Sequence, residues 1–115
     1  MIPFNNRFHG HSSLNFVYRN GKATHSRWFI IKTIENPKRK KSRAAVIVSK
    51  KILKSAVKRN RVRRQIYEYI STLFPQLGKV YDIAIIVSSG ELFMAPQAEI
   101  FTQLDELFGQ TGIKK

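Results

Sequence analysis

The chain has 115 residues, of which 43% are hydrophobic, so it can form one domain with a hydrophobic core and is unlike a disordered protein. Its 21 basic residues against 7 acidic ones give a net charge of +14, which favours a polyanionic partner, with nucleic acid ahead of an acidic membrane surface. The sequence contains no cysteine, no apolar run long enough to span a bilayer and no secretory signal, so disulfides and thiolate metal sites are excluded and we expect a cytoplasmic protein.

The first half of the chain is predicted to contain one short helix and two strands. Ser12 or Ser13 can cap a helix that runs to about residue 19, where Asn20-Gly21 ends it. The β-branched and aromatic residues from Arg27 to Ile34 predict a strand. The apolar run from Ala44 to Ser49 predicts a second strand.

The second half is predicted to contain two helices around a third strand. A helix from Ser55 to about Leu73 has an apolar stripe, and Val80 to Val87 is typical of a strand. Pro96 suits the first turn of a last helix, which Gly109 is expected to end. The order α-β-β-α-β-α predicts a single α+β domain over residues 1–115, with a core from about 7 to 108. The third strand follows a long helix, so we expect it to pair in parallel with the second, through a connection that is normally right-handed.

Positive and negative charge are concentrated in different parts of the sequence. Thirteen basic residues and no acid lie between Lys38 and Arg64, whereas residues 82–106 contain five acids and no base. Between Lys50 and Arg64, a helix with an apolar stripe behind it would offer a row of arginines and lysines to phosphates, and Asn60 could contact a base or sugar edge. A basic face that merely contacts solvent is the ordinary alternative. Because no acids are interspersed to pair with these bases, they repel one another unless an anion binds.

The order and spacing of these segments resemble one protein family. Lys50-Lys51, followed after seven residues by Arg59-Asn60-Arg61-Val62-Arg63-Arg64, closely resembles the RNR signature of the bacterial ribonuclease P protein. The similarity spans roughly Arg7 to Phe108 and includes segments 16–21, 27–31 and 82–87 and the strand that ends at Val48-Ser49.

This resemblance implies both a fold and a function. The fold is the α+β arrangement of certain ribosomal proteins and an elongation-factor domain, in which a mixed sheet has an unusual left-handed β-α-β crossover. The function is that of the protein subunit of ribonuclease P, which binds the catalytic RNA and the 5′ leader of precursor tRNA and assists Mg²⁺-dependent removal of the leader. The catalytic groups and the Mg²⁺ are then expected in the RNA, with no catalytic residue and no metal ligand in this chain. The implied partners are ribonuclease P RNA and precursor tRNA, without a membrane, and the protein is expected to be a monomer in the holoenzyme.

Two sets of site residues carry over from the family. The RNA-binding set comprises Lys50, Lys51, Lys54, Lys58, Arg59, Asn60, Arg61, Arg63 and Arg64. The cleft expected to hold the single-stranded leader comprises Leu14, Tyr18, Phe29 and Lys32. Aromatic residues beside basic ones suit single strands, although strand alternation lets only one of Trp28 and Phe29 face the cleft. Leu14 and Lys32 stand where the family usually has aromatic residues, so we expect weaker stacking and more electrostatic contact with the leader.

Three other functions fit parts of the pattern. A ribosome-associated or other structural RNA-binding protein could share the architecture without a role in cleavage. A DNA-binding module could insert the basic helix into the major groove, but a strand, and not a short helix with a tight turn, precedes that helix. A self-sufficient nuclease would need convergent carboxylates or histidines, whereas the acids lie mainly in the last third of the sequence.

Overall fold

The computed structural model describes residues 17–37 and 40–114, which form a four-stranded mixed sheet with helices. The elements in chain order are helical residues 17–20 (α1), β1 (Lys22–His25), β2 (Phe29–Glu35), β3 (Arg43–Ile47), α2 (Ala56–Leu73), β4 (Tyr81–Val87) and α3 (Gln97–Thr111). Short 3₁₀ helices cover Phe74–Gln76 and Gly90–Met94. The α+β class is confirmed, as is the predicted order apart from β1, an additional strand.

The sheet order is β1-β2-β4-β3. The pairs β1–β2 and β2–β4 are antiparallel, whereas β3 and β4 are parallel neighbours joined through α2, which confirms the predicted parallel pairing. The handedness of that crossover stays a prediction from the resemblance. The sequence pattern missed β1 because its four residues are mostly exposed and carry no alternation of apolar side chains.

Alternation in β2 and β4 separates the two faces of the sheet. Phe29 pairs with Val87 and Ile31 with Ile85, and all four side chains are buried in the core together with residues of α2 and α3. The intervening residues of β2 are only half-buried and lie on the opposite face, which we call the open sheet face (Ile30, Lys32, Ile34 and Ile86, the partner of Ile30 in β4).

The two long helices begin and end for identifiable reasons. Ser55 caps α2, since its Oγ accepts a hydrogen bond from the Lys58 N–H at 3.3 Å, and Pro75 lies in the 3₁₀ turn that follows the helix. In α3 the predicted end at Gly109 is wrong. The helix continues to Thr111 because Gly112, with φ of 74°, adopts the left-handed conformation that ends helices.

A buried ion pair fixes the edge strand β3 to the centre of the sheet. Arg43 donates from Nε and Nη2 to the two carboxylate oxygens of Asp82, at 3.0 and 2.8 Å, and both side chains are almost completely buried. Asn36 also donates to Asp82, at 2.9 Å. The pair holds β3 in register, and β3 leads directly into the basic loop before α2.

A second polar contact joins α2 to α3. The Tyr69 hydroxyl donates to Asp105 at 2.7 Å, and Lys114 donates to the same oxygen at 3.1 Å. The ring of Tyr69 also packs on Phe101 and Phe108, with centroids 5.5 and 5.9 Å apart. These contacts hold the apolar side of α2 against α3, so its basic side faces solvent.

Candidate nucleic-acid interface

The loop before α2 carries the first three predicted RNA-binding lysines. It turns at residues 50–52, where the N–H groups of Ile52 and Leu53 both donate to the Ser49 carbonyl at 3.1 Å. Ile52 and Leu53 pack against the core, whereas Lys50, Lys51 and Lys54 are exposed. The apolar pair therefore anchors the loop and leaves its cationic side chains in solvent.

Arg59 holds this loop against the first turn of α2. Its Nη1 donates to the carbonyls of Leu53 and Lys54, at 2.9 and 2.8 Å. On the other side of the loop, a Cβ at Gly90 would lie 2.9 Å from the Ile52 carbonyl oxygen, so only glycine allows this approach. Arg59 is thus a structural residue of the interface as well as one of its cations.

The outward face of α2 carries the signature residues. Asn60, Arg61 and Arg64 are exposed, as their helical spacing predicts, and Arg63 is half-buried and donates to Asn60 Oδ1 at 2.8 Å. We call the nine predicted RNA-binding residues the basic interface: Lys50, Lys51, Lys54, Lys58, Arg59, Asn60, Arg61, Arg63 and Arg64. The structure brings all nine together on the loop and the first half of α2.

Phe93 lies beside the basic interface, and sequence reasoning missed it. Its half-buried ring has Lys58 Nζ 5.1 Å and the Arg61 guanidinium carbon 5.2 Å from its centroid, which is the geometry of cation–π contacts. Its position in the short 3₁₀ helix Gly90–Met94 left no signal in the periodicity of the sequence.

The positive charge of the basic interface is not neutralised within the described part of the chain. Four acids form ion pairs there, and their partners are Arg27, Arg43, Lys79 and Lys114, none of which belongs to the interface. Eight basic side chains between Lys50 and Arg64 therefore produce a strongly positive, solvent-facing surface. Such a surface fits a phosphate backbone.

The predicted leader cleft is only partly assembled by the structure. Tyr18 and Lys32 do lie together at the open sheet face: Lys32 Nζ is 5.3 Å from the Tyr18 ring centroid and donates to its carbonyl at 3.0 Å. Burial raises the pKa of Tyr18 above its ordinary value, so its hydroxyl stays protonated. Leu14 lies outside the described residues.

The assignment of Phe29 to the cleft is wrong. Its side chain is completely buried on the core face, and Trp28, the alternative, is only 2% exposed. The physical reason is strand alternation, since residues 29 and 32 of one strand point to opposite faces of the sheet. Ile30 and Ile86, paired across β2 and β4, are half-buried apolar residues near Lys32 on this face, and the same alternation could have identified Ile30 from the sequence.

The described residues provide neither a metal-binding cluster nor a membrane-spanning helix. Residues 17–37 and 40–114 contain no cluster of three or more His, Cys, Asp or Glu side chains that could hold a metal ion. Within those ranges, no helix has the length and apolar character needed to cross a bilayer.

Comparison with known proteins gives a consistent result. The family model named Ribonuclease P matches residues 2–112. The ribonuclease P protein component of a Synechocystis species is 31% identical over 97 residues, covering 84% of this chain and 77% of the relative. That of Parasynechococcus marenigrum is 24% identical and covers 97% of both chains.

Solved structures show the same fold. The RNase P protein of Staphylococcus aureus superimposes with a TM-score of 0.85 at 22% identity, covering 96% of this chain and 98% of its own. The protein of Thermotoga maritima gives 0.72 at 21% identity, covering 82% and 87%. With a family match over nearly the whole length, the chain belongs to the ribonuclease P protein family, the protein subunits of the RNA-based endoribonuclease that matures the 5′ ends of tRNA.

Proposed function

We propose that this chain binds the catalytic RNA of ribonuclease P through the basic interface and the 5′ leader of precursor tRNA on the open sheet face. The observation that carries the proposal is the exposed, unneutralised positive charge on the loop and first half of α2. Phosphates of an RNA would supply the missing negative charge, and their condensed counterions would be released on binding. The two binding surfaces are different parts of one α+β domain.

The cleavage chemistry belongs to the RNA in this proposal. Every charged side chain of the basic interface is a cation. These cations would repel Mg²⁺ and attract RNA phosphates, which are the groups that coordinate Mg²⁺. A catalytic Mg²⁺ would accordingly be held by the RNA, where it would supply the activation of the attacking water. The contribution of the protein is to reduce repulsion between RNA segments, so that fewer free metal ions are needed.

Tyr18 and Lys32 support the leader part of the proposal. Lys32 provides a positive charge at a half-buried position, and the Tyr18 ring beside it provides an aromatic surface. Ile30 and Ile86 offer an apolar floor without a stacking ring. We infer that this face binds mainly the sugar–phosphate backbone of the leader. In this proposal each holoenzyme contains one copy of the protein and acts in the cytoplasm.

Reconstitution tests the proposal directly. Purified protein mixed with a bacterial ribonuclease P RNA should increase cleavage of precursor tRNA at low Mg²⁺, relative to the RNA alone. It should also raise the affinity of the complex for precursor over mature tRNA, and Lys32→Ala should reduce that preference without weakening binding of the catalytic RNA. No gain over RNA alone would refute the proposal, and tighter binding to duplex DNA than to structured RNA at equal salt would favour a DNA-binding module.

A further inference from the structure

Val57 is an exposed apolar residue in the middle of the basic interface. Its side chain is 78% exposed, although it lies in the first turn of α2, where an alanine or lysine would form helix more readily. It contributes nothing to the core, and neither helix propensity nor packing within the described protein explains a valine there. An isolated exposed valine would be ordinary, but this one has specific neighbours.

Val57 forms the floor of a groove on the surface of α2. Val57, Asn60, Arg61 and Arg64 line an open cavity of about 390 Å³. Three of these positions are spaced by four and three residues, so their side chains lie one above another on the same side of the helix. An open groove of this size has room for one planar ring system lying against the helix.

The walls of the groove carry groups that suit a nucleobase. Arg61 lines the groove and also lies over the Phe93 ring, 5.2 Å from its centroid, so Phe93 holds the guanidinium in place. A guanidinium plane held in this way is a surface on which a base can stack. Arg64, about one helical turn beyond Arg61, also lines the groove and can bind the adjoining phosphate.

Asn60 adds a group that can contact the edge of the base. Its Oδ1 accepts a hydrogen bond from Arg63 Nη1 at 2.8 Å, which fixes the orientation of the amide. The Nδ2 group therefore points away from Arg63, and as a donor it can reach a ring nitrogen or carbonyl oxygen. The groove thus combines an apolar floor, a stacking surface, a hydrogen-bond donor and a phosphate-binding cation.

We propose that this groove is a nucleobase site, in which one unpaired base of the RNA partner lies on Val57, stacks on Arg61 and accepts a hydrogen bond from Asn60. The inference rests on the proposed RNA binding and goes beyond it, because it assigns a contact to a base as well as to phosphates. Charge complementarity favours RNA as the occupant, since two of the four residues that line the groove are arginines and Lys58 lies nearby. Only an unpaired base can enter, because the flat face of a base in a duplex is covered by its stacked neighbours.

Salt dependence separates base contact from phosphate contact. Val57→Ala removes two methyl groups of apolar contact but no charge, so the affinity for a bacterial ribonuclease P RNA should fall by about three- to tenfold at every salt concentration. The slope of log affinity against log salt should stay unchanged, because no counterion release is lost.

Met94→Ala is the matched control, since Met94 is 84% exposed and does not line the groove. The affinity of this variant should stay within about twofold of that of the original chain. The Val57→Ala protein must show a urea midpoint equal to or slightly above that of the original chain, since the position is exposed and alanine forms helix more readily than valine.

Crosslinking gives a second, positional readout. The chain has no cysteine, so Val57→Cys labelled with an azidophenacyl group carries one photoreactive probe at the floor of the groove. Irradiation with the ribonuclease P RNA should produce primer-extension stops at one or a few unpaired nucleotides. Stops spread along paired helices, or equal effects of Val57→Ala and Met94→Ala, would overturn the base site.

The two proposals fail in different ways. If the original chain neither binds the RNA nor increases its cleavage, the proposed function fails and the base site with it. If the original chain does both while Val57→Ala keeps full affinity, only the base site fails.

Discussion

Arg43 and the arginines of α2 belong to the same acid-free basic stretch of sequence, yet they lie in opposite environments. Arg43 is 9% exposed and forms a two-point ion pair with Asp82, a residue 39 positions later in the chain. Arg61 and Arg64 are exposed and have no described acid within ion-pair distance. Arg43 therefore stabilises the sheet, whereas the α2 arginines leave positive charge for an external anion.

The two regions should respond to mutation in opposite ways. Removing one partner of a buried ion pair leaves an uncompensated charge in a medium of low polarity. This lowers the free energy of unfolding far more than breaking an ion pair at the surface does. Removing an exposed cation from a cluster of like charges relieves repulsion and barely affects folding. Stability and RNA affinity should therefore be nearly independent properties of the two regions.

The largest expected effect is on the buried pair. Asp82→Ala leaves the Arg43 guanidinium without its carboxylate and Asn36 without its acceptor, so the free energy of unfolding should fall by about 3–5 kcal/mol. Urea denaturation followed by circular dichroism measures this loss. Where the variant remains folded, the salt slope of its RNA binding should match that of the original chain.

The control for this variant replaces both partners. Arg43→Met combined with Asp82→Leu removes the charges together, and it should cost several kcal/mol less than Asp82→Ala alone. A loss below about 1 kcal/mol in Asp82→Ala would mean that the pair is solvated, and the contrast with α2 would disappear.

The next effect is on RNA affinity. Arg61→Ala combined with Arg64→Ala should flatten the slope of log affinity against log salt by at most about two, since each phosphate contact contributes roughly 0.7–0.9. The free energy of unfolding should change by less than about 0.5 kcal/mol, because both side chains are exposed. Filter binding to a ribonuclease P RNA over a salt series measures the slope.

A charge-matched variant controls for net charge. Arg27→Ala combined with Lys79→Ala also removes two positive charges, from side chains that are 69% and 65% exposed and lie outside the basic interface. Its salt slope should stay close to that of the original chain. If both double variants flatten the slope equally, the RNA responds to total charge and the basic interface has no special role.

Arg59 and Arg63 sharpen the comparison because they combine both roles. Replacing both with alanine should also flatten the slope by at most about two, as their position in the signature predicts. Unlike Arg61 and Arg64, however, Arg59 donates to two loop carbonyls, so this variant should also lose about 1 kcal/mol of stability. A variant with lower affinity and unchanged stability would show that the loop does not depend on Arg59.

The sequence predicted those features that repeat along an element. The basic face and apolar stripe of α2 follow a 3.6-residue period and could be assigned residue by residue, and the parallel pairing of β3 and β4 followed from the long helix between them. The C-terminal end of α3 depends on a single residue, Gly112, and β1 depends on pairing with another strand, and neither is recorded in a local period.

Contacts between distant segments were the part that could not be predicted. Nothing near Arg43 in the sequence indicates Asp82, and nothing near Lys58 or Arg61 indicates Phe93. The error at Phe29 was of another kind, because alternation along β2 already separates it from Lys32.

The smallest predicted effect concerns the contact that orients α2, and it depends on pH. Burial, together with the hydrogen bond to Asp105, raises the pKa of Tyr69, and the same hydrogen bond, supported by Lys114, lowers the pKa of Asp105 below its usual value. The carboxylate therefore contributes stability above the unfolded-state pKa of roughly 3.9, and this is lost as pH falls through the lower folded-state value. The protonated tyrosine contributes stability below roughly pH 10, and this is lost as pH rises.

Tyr69→Phe should consequently reduce the free energy of unfolding by about 1 kcal/mol at pH 7, a discounted value because Asp105 is 59% exposed. The difference from the original chain should shrink at both extremes, since acid removes the charged acceptor and alkali favours the ionised tyrosine of the unfolded chain. Urea titrations at pH 3, 7 and 10.5 measure the three differences. When Asp105 is replaced by Asn, the loss of stability caused by Tyr69→Phe should be the same at pH 7 and at pH 3. A loss that still changed with pH would show that another carboxylate causes the acid dependence. RNA affinity at pH 7 should be reduced less than twofold, because the contact lies on the side of α2 opposite the basic interface.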